Sequence, residues 1–310
     1  MPDALSDSTG QGVRVRVPAT SANLGPGFDA LGVALEWTAD LSFRLAEPGP
    51  PSEDGATAAI EGMARTAAQR VLERAGHPGA VVAATYHGDL PVGRGLGMSA
   101  AARAAGLVAG GRLSRQLGGD GCPPEGILQL AVELEGHGDN IVPALFGGIQ
   151  VVVQPSTGPM QHVRLAPSED LRLALLIPEF SMPTEESRKR LPVSLTRAEA
   201  VHNIGRAALV VAALAERRYD ALRTAVEDIL HQPARGQLFP ALFPIIAGAY
   251  GAGAYGAYLS GGGSTVAAFV SPEAGEAVAS AMLNVAREHA LEATTRVVAL
   301  RSTGTEVVES

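Results

Sequence analysis

The chain has 310 residues, enough for two ordinary domains that each bury a hydrophobic core. Its net charge of -8 and scattered basic residues exclude the basic surface that binds nucleic acid. The single cysteine, Cys122, excludes an intramolecular disulfide and a metal site built on several cysteines. The opening MPDALSDSTGQG lacks the pattern of a signal peptide, and apolar stretches such as ALVVAALA (208–215), predicted to be core helices, end well short of the ~20 residues of a membrane span. We therefore expect a cytoplasmic protein without nucleic-acid or membrane partners.

Hydrophobic periodicity predicts a mixed chain. Period-two alternation indicates strands over 13–17 and 34–45, and the acidic, proline-rich EPGPPSEDG that follows predicts an exposed loop. The remaining predicted elements are, in order, a helix over 57–75, a strand over 80–86, helices over 99–113 and 124–135, strands over 149–153 and 171–177, helices over 196–216, 219–231 and 238–249, a strand ending at Ser260, a strand over 266–270, a helix over 272–289 and a strand over 295–301.

Strands and helices that mix without strict alternation favour α+β domains over a doubly wound sheet. We place a domain boundary near residue 165. The predicted organisation is a flexible N-terminus (1–11), an N-terminal domain (12–165) and a C-terminal domain (166–310).

The segment PVGRGLGMSAAAR (91–103) alternates glycines and then passes into strong helix formers. Glycines allow close backbone approach to a ligand, and the first turn of a helix offers unpaired N–H groups, so the pattern suits an anion. The loop lacks the lysine of a Walker sequence and the spacing of a dinucleotide fingerprint. Taken alone, a glycine-rich turn before a helix is more often purely structural.

Six segments occur in the order found in the homoserine kinases of the GHMP kinase superfamily, and the chain resembles that family over 21–269. They are SANLGPGFDALGVAL (21–35), PVGRGLGMSAAA (91–102), EGHGDNIVPALFGG (135–148), TEESRKRLP (184–192), DILHQPARGQLFP (228–240) and YLSGGGSTVAAF (258–269). The resemblance implies a GHMP kinase fold of α+β type. Its N-terminal domain would be like the second domain of ribosomal protein S5, and its C-terminal domain a ferredoxin-like α/β sandwich. ATP and Mg²⁺ would be the cofactors.

For nucleotide and metal, the resemblance implies a cradle in the glycine loop and a magnesium site at Ser99 and Glu135. The implied cradle comprises Pro91, Gly93, Arg94, Gly95, Leu96, Gly97, Met98, Ser99, Ala100 and Ala101. Ordinary alternatives are a helix N-cap for Ser99 and a surface carboxylate for Glu135. Glu133 points to a different helix face.

For the substrate, the resemblance implies Asn23 and Asp29 at an ammonium group, Arg188 and Arg235 at a carboxylate, and Thr184 and Gly262 in contact with the same molecule. Planar guanidinium groups bind carboxylates bidentately, as lysine does not. The alternatives are an Asx turn for Asn23 and surface ion pairs for both arginines. The glycines 261–263 are predicted to close the substrate side, or else to form a plain strand-to-strand turn.

The resemblance places Asn140 and His137 near the reacting hydroxyl, and Glu135, Ser99 and Asn140 form the implied catalytic set. It supplies no general base, because Thr20 and Ser21 stand where other GHMP kinases carry a lysine. Catalysis is therefore expected mainly from positioning and electrostatics.

Several positions depart from the family pattern, among them Gly262 and Ser264, which replace the usual Ala and Pro of the 260–265 segment. Met98 replaces the first serine of Gly-Leu-Gly-Ser-Ser, and we expect its side chain to face inward. Gly62 and Met63 stand where many relatives carry an Asn-Leu pair that faces adenine.

The expected activity is ATP- and Mg²⁺-dependent phosphorylation of the side-chain hydroxyl of L-homoserine, in threonine biosynthesis. The alternatives are a GHMP-type kinase for another small hydroxy compound and a non-catalytic ATP-binding homologue. Dimerisation is common among relatives. No stretch of this sequence requires it, so the sequence leaves a homodimer as an open alternative.

Overall fold

The computed structural model describes residues 12–182 and 184–308, without the side chains of 184–186. Its strands are β1 (Val13–Ala22), β2 (Leu31–Leu45), β3 (Val82–His87), β4 (Ile149–Val153), β5 (Gln161–Leu165), β6 (Arg172–Pro178), β7 (Gly256–Leu259), β8 (Val266–Val270), β9 (Ala293–Ala299) and β10 (Glu306–Val308). Its helices are α1 (Gly55–Arg74), α2 (Met98–Gln116), α3 (Pro124–Glu135), α4 (Gly138–Phe146), α5 (Thr184–Lys189), α6 (Arg197–Ala215), α7 (Leu222–Ala225), α8 (Gln232–Gly236), α9 (Leu242–Gly251) and α10 (Gly275–Glu288).

The strands form two antiparallel sheets, which confirms the α+β prediction. The first has the order β10-β1-β2-β4-β5, and the second the order β7-β8-β6-β9. The long strand β2 pairs with two strands along the same edge. Leu31 to Val33 pair with β4, whereas Asp40 to Leu45 pair with β3. The domain boundary near residue 165 stays a prediction, and β10, which lies within the range 166–310, pairs with β1.

Helices α1, α2 and α4 pack with the first sheet and α3 packs on these helices, while β6, β7 and β8 of the second sheet are buried on both faces. In β6, Leu173 and Leu175 belong to the core cluster that continues from the first sheet, while Ala174 and Leu176 face a second cluster that contains residues of α9 and α10. A strand buried on both sides needs a continuous apolar run, and RLALLIP provides one.

The prediction of a helix over 219–231 is wrong. The chain there forms a short 3₁₀ turn (Tyr219–Ala221), then α7, then an irregular segment that leads into α8. Asp228 explains the break, because its carboxylate accepts hydrogen bonds from the backbone N–H groups of Leu230, His231 and Gln232. An aspartate used in this way caps a new helix and does not continue an old one.

Helix α6 is buried on only one side, although its apolar stretch was expected to form a core helix. Val210, Ala213 and Leu214 are buried, whereas Val201 and Ile204 on the opposite side are exposed. By length and apolar composition, α6 is the single helix of the described ranges that could cross a membrane. Buried core helices of soluble proteins can meet the same criterion, so this is weak evidence.

The contact of α1 with α2 provides a stability test within one helix. A Cβ at Gly106 would lie 2.1 Å from the carbonyl oxygen of Ala64, whereas a Cβ at Gly111 would meet no described atom within 4 Å. We expect Gly106→Ala to lower the free energy of unfolding by about 1–3 kcal/mol, because the helices must separate. Gly111→Ala, the matched control, should raise it by about 0.5–1 kcal/mol through helix propensity. Urea unfolding checks both, and equal effects would contradict the packing described.

Candidate active site

A cleft of about 270 Å³ lies where loops of the first sheet meet α5, α8 and the 260–265 loop of the second half. Many of the predicted site residues line it together. These are Asn23, Asp29, Gly93, Gly95, Leu96, Gly97, Met98, Ser99, Glu135, His137, Asn140, Arg188, Arg235 and Gly262. Residues separated by as many as 239 positions in sequence thus share one cavity.

The glycine loop precedes α2 and is held by the second half of the chain. Gly93, Gly95 and Gly97 have φ values of 68°, 75° and 66°, in the left-handed region that favours glycine. The carbonyl of Gly95 accepts a hydrogen bond from Ser260 Oγ (2.6 Å), and a Cβ at Gly95 would lie 2.2 Å from the carbonyl oxygen of Ser260. The loop conformation therefore depends on both halves of the molecule.

Helix α2 begins at Met98, and Gly97 is its N-cap residue. The reading of Ser99 as an N-cap is therefore wrong, since Ser99 is the second helical residue. The side chain of Met98 is 3% exposed and packs in the core cluster, as expected for the inward orientation. The first N–H groups of a helix have no partner within the helix, and the start of α2 lines the cleft at Met98 and Ser99.

Four residues of the predicted nucleotide cradle have other surroundings. Pro91 and Arg94 line a neighbouring cavity together with Trp37, and the Arg94 guanidinium donates to the carbonyl of Glu179. Ala100 and Ala101 are fully buried on α2. None of these four residues lines the cleft, and the backbone N–H of Ala101 already donates to the carbonyl of Gly97 (2.8 Å).

Glu135, the last residue of α3, meets the first turn of α2. Its Oε1 accepts a hydrogen bond from Ser99 Oγ (3.2 Å), and its Oε2 pairs with Arg103. Glu133, in contrast, is exposed and accepts from Gln129 (3.0 Å). A hydroxyl and a carboxylate oxygen side by side are the hard ligands that Mg²⁺ prefers, so the two predicted metal residues are chemically suited to it.

The amide of Asn140 is oriented by a residue of β1. Thr20 Oγ1 donates to Asn140 Oδ1 (2.8 Å), so the amide nitrogen of Asn140 is left as the donor that faces the cleft. A Cβ at Gly97 would lie 1.9 Å from Thr20 Oγ1. The third glycine of the loop therefore makes room for this contact.

His137 precedes α4 and forms a short ionic hydrogen bond with the buried carboxylate of Asp139. Burial acts to lower the pKa of His137, but the hydrogen bond and charge of Asp139 prevail and raise it above its usual value. His137, Asp139 and Asp29 bring one potential ligand atom each within 4.8 Å of one another. All three residues line the cleft.

Asp29 and Arg188 form a bidentate ion pair across the cleft. Arg188 donates from Nη1 to Asp29 Oδ2 (3.0 Å) and from Nη2 to Oδ1 (2.7 Å). The hydrogen bonds to Asp29 raise the pKa of Arg188. The guanidinium carbons of Arg188 and Arg235 lie 5.3 Å and 5.5 Å from the ring centre of Phe28. Both cations therefore lie over the same aromatic ring, and cation–π attraction stabilises them there.

Arg235 is nearly buried, with 2% of its surface exposed. Burial, followed by the charge of Arg188, lowers its pKa to about 10, so it stays a cation at neutral pH. It is not a surface ion-pair residue, which was the alternative for it. For Arg188, whose side chain is 36% exposed, an ion pair does exist, but it lies inside the cleft.

The turn that carries Asn23 is closed by its own side chain. Asn23 Oδ1 accepts from the backbone N–H of Asp29 (3.1 Å), and Nδ2 donates to the carbonyl of Gly261 (2.9 Å). The loop 260–265 joins antiparallel β7 and β8, so it is a strand-to-strand turn and also lines the cleft. Thr184 begins α5, but its side chain lies outside the described residues.

Four residues of the site were missed by sequence reasoning: Thr20, Phe28, Arg103 and His231. Each lies within or beside a segment that carries the family pattern, and that proximity was the available signal. Their contacts include partners far along the chain, for example Glu135, 32 positions from Arg103, and Gly25, 206 positions from His231. Local sequence contains no record of such contacts.

Comparison with known proteins gives concordant matches. Residues 62–148 match the family described as GHMP kinases N terminal domain, and residues 210–287 match GHMP kinases C terminal. The chain is 38% identical to the homoserine kinase of Desulfitobacterium hafniense over 96% of this chain and 100% of that protein. It is 42% identical to the homoserine kinase of Symbiobacterium thermophilum over 74% of each chain. The crystal structure of homoserine kinase from Cytophaga hutchinsonii superposes with a TM-score of 0.84 at 26% identity, over 99% of this chain and 100% of that one.

Proposed function

The chain belongs to the homoserine kinase family of GHMP kinases, and from this we propose that its cleft transfers the γ-phosphoryl group of ATP to the side-chain hydroxyl of L-homoserine. The predicted family and GHMP kinase fold are confirmed. The protein is thus an ATP-dependent phosphotransferase with an alcohol acceptor. Its single cysteine, Cys122, is unpaired, which fits the reducing cytoplasm that we propose as its compartment.

One observation carries the substrate proposal: a carboxylate and two guanidinium groups line the same cleft as the glycine loop. A free α-amino acid presents an ammonium and a carboxylate, each of which must be matched when water is removed. Asp29 suits the ammonium, and Arg188 and Arg235 suit the carboxylate. Asp29 and Arg188 also pair with each other, so neither charge is unmatched in the part-buried cleft.

On the nucleotide side, we place the triphosphate against the glycine loop and the first turn of α2, where backbone N–H groups and the helix dipole favour negative charge. Glu135 and Ser99 would hold Mg²⁺, which neutralises phosphate charge during transfer. Arg103 pairs with Glu135 and keeps the carboxylate in place. Phosphoryl transfer requires little covalent chemistry from the protein, so the main contribution of the protein is to position these groups.

The acceptor hydroxyl belongs beside Asn140 and His137 in this proposal. The Asn140 amide nitrogen can donate to an oxygen in the cleft, because Thr20 occupies its carbonyl oxygen. The raised pKa of His137 favours its cationic form, which adds positive charge near the transferred group. No described residue is assigned as general base, and the hydroxyl proton passes to phosphate or water.

The test is a coupled ADP-release assay with ATP and Mg²⁺ and five acceptors: L-homoserine, L-serine, L-threonine, mevalonate and galactose. We expect kcat/KM for homoserine to exceed that for the other four by about 100-fold or more. Mevalonate lacks the ammonium group and galactose lacks both charged groups, whereas serine and threonine carry their hydroxyl on Cβ and so place it one carbon short of the Cγ hydroxyl of homoserine.

A Glu135→Gln preparation, purified in the same way, controls for contaminating kinases and ATPases. Turnover with a non-amino-acid alcohol alone would overturn the substrate assignment. Binding of an ATP analogue without turnover of any acceptor would instead support the non-catalytic alternative.

A further inference from the structure

The segment DILHQPAR (228–235) has one buried histidine that the proposed reaction does not use. Asp228 anchors the segment by accepting from the backbone N–H groups of His231 (2.9 Å) and Gln232 (2.7 Å). Asn203 of α6 donates to the same carboxylate (2.7 Å). The backbone that carries His231 and Arg235 is thereby fixed by Asp228, which Asn203 links to α6.

His231 lies between the turn that follows β1 and the guanidinium group of Arg235. Its Nε2 is 2.7 Å from the carbonyl oxygen of Gly25, and its Nδ1 is 3.0 Å from Arg235 Nη1. The ring is fully buried, and its centre lies 5.4 Å from that of Phe28. It therefore connects the turn that bears Asp29 with the arginine on the other side of the cleft.

The two contacts select one protonation state. A carbonyl oxygen can only accept and a guanidinium N–H can only donate, so Nε2 must carry the proton and Nδ1 must be bare. A second proton on Nδ1 would face the Arg235 cation. Burial lowers the pKa of His231 below its usual value, against the raising effect of the nearby Asp228 carboxylate, which supports the neutral form.

Two of the three guanidinium nitrogens of Arg235 donate hydrogen bonds. Nε donates to Ser187 Oγ (3.2 Å), and Nη1 donates to the carbonyl of Gly261 (2.8 Å) as well as to His231. Among the described side chains, which exclude those of 184–186, Nη2 has no hydrogen-bond partner, and Arg235 lines the cleft. The Nη2 edge is therefore the part of the guanidinium left for a ligand.

We propose that His231 is a positioning residue: its bare Nδ1 fixes the rotation of the Arg235 guanidinium so that the Nη2 edge faces the substrate carboxylate. This inference rests on the proposed function, because it assumes an amino-acid substrate. It adds that recognition of the carboxylate depends on a hydrogen-bond acceptor behind the arginine. The same ring ties the arginine to the turn that presents Asp29.

Two conservative variants separate the two contacts of the ring. Asparagine places an oxygen near the position of Nδ1 and so keeps the acceptor for Arg235, whereas glutamine reaches the position of Nε2 and keeps only the donor to Gly25. We expect His231→Gln to raise the KM for homoserine about tenfold, and His231→Asn to stay within about threefold of wild type. The KM for ATP should change by less than about twofold in both.

A second readout distinguishes positioning from general distortion of the cleft. The molecule 3-aminopropan-1-ol is homoserine without its carboxylate, and we expect its inhibition constant to be the same, within about twofold, in wild type and both variants. Thermal melting establishes that each variant is folded.

An unchanged homoserine KM in His231→Gln would overturn the inference, as would an equal rise in both variants or a parallel rise in the inhibition constant. A wild-type protein that does not phosphorylate homoserine would instead overturn the proposed function.

Discussion

Glu135→Gln is expected to lower kcat by about 10²–10³-fold, because the variant loses the charged oxygen that would hold Mg²⁺ beside the transferred phosphoryl group. An amide keeps the size of the side chain but can neither neutralise Arg103 nor bind the ion as strongly. Steady-state kinetics at saturating ATP and homoserine, with Mg²⁺ in excess, measure the effect.

Two controls make this result specific to the site. Glu133→Gln changes an exposed carboxylate of the same helix and should leave kcat within about twofold, since surface substitutions seldom matter. Arg103→Gln breaks the ion pair of Glu135 without removing the carboxylate. It should lower kcat by much less than Glu135→Gln does, because the metal-binding carboxylate is kept and only its anchor is lost. A Glu135→Gln enzyme with kcat within tenfold of wild type would remove Glu135 from the metal role.

Arg188→Lys is expected to raise the KM for homoserine by about 10- to 100-fold, because one charged hydrogen bond to a carboxylate contributes about 1.5–3 kcal/mol. Lysine would keep the positive charge opposite Asp29. It lacks the planar guanidinium group, which in Arg188 forms two parallel hydrogen bonds to Asp29 and could bind a substrate carboxylate in the same way. The KM for ATP should change little, since Arg188 lies on the amino-acid side of the cleft in the proposed arrangement.

Arg206→Lys provides the matched control for that experiment. Arg206 also lies in the second half of the chain and also pairs with a carboxylate, that of Glu227, but it does not line the cleft. We expect its kinetics to equal those of wild type. A homoserine KM that responds equally to both substitutions, or to neither, would contradict the assignment of Arg188 to the substrate carboxylate.

Local sequence predicted long elements well and short ones poorly. The helix expected over 124–135 has those bounds, since Pro124 starts it and Gly136 ends it in the left-handed conformation. Helix α4 was missed because it contains Pro143 and begins at a glycine, both of which disfavour helices locally. Strands β5 and β10 were missed as well, and they are short edge strands stabilised by pairing with β4 and β1.

The site divides in a similar way. The glycine loop and the residues Glu135, Asn140, Arg188 and Arg235 could be named from the sequence, because each belongs to a segment with a recognisable pattern. The hydrogen bond between Thr20 and Asn140 could not be predicted from the sequence, and neither could the one between His231 and Arg235. Nor could the burial of Arg235, which follows from packing against residues far along the chain.

The sequence by itself thus determined the order of most elements, the family and the chemical types of the groups at the cleft, since these depend on local propensity and on segments with a recognisable pattern. Only the tertiary structure decided which edge of each polar group is free. That choice depends on partners brought together by the docking of the two sheets, and a hydrogen bond between distant residues leaves no periodic trace in the sequence.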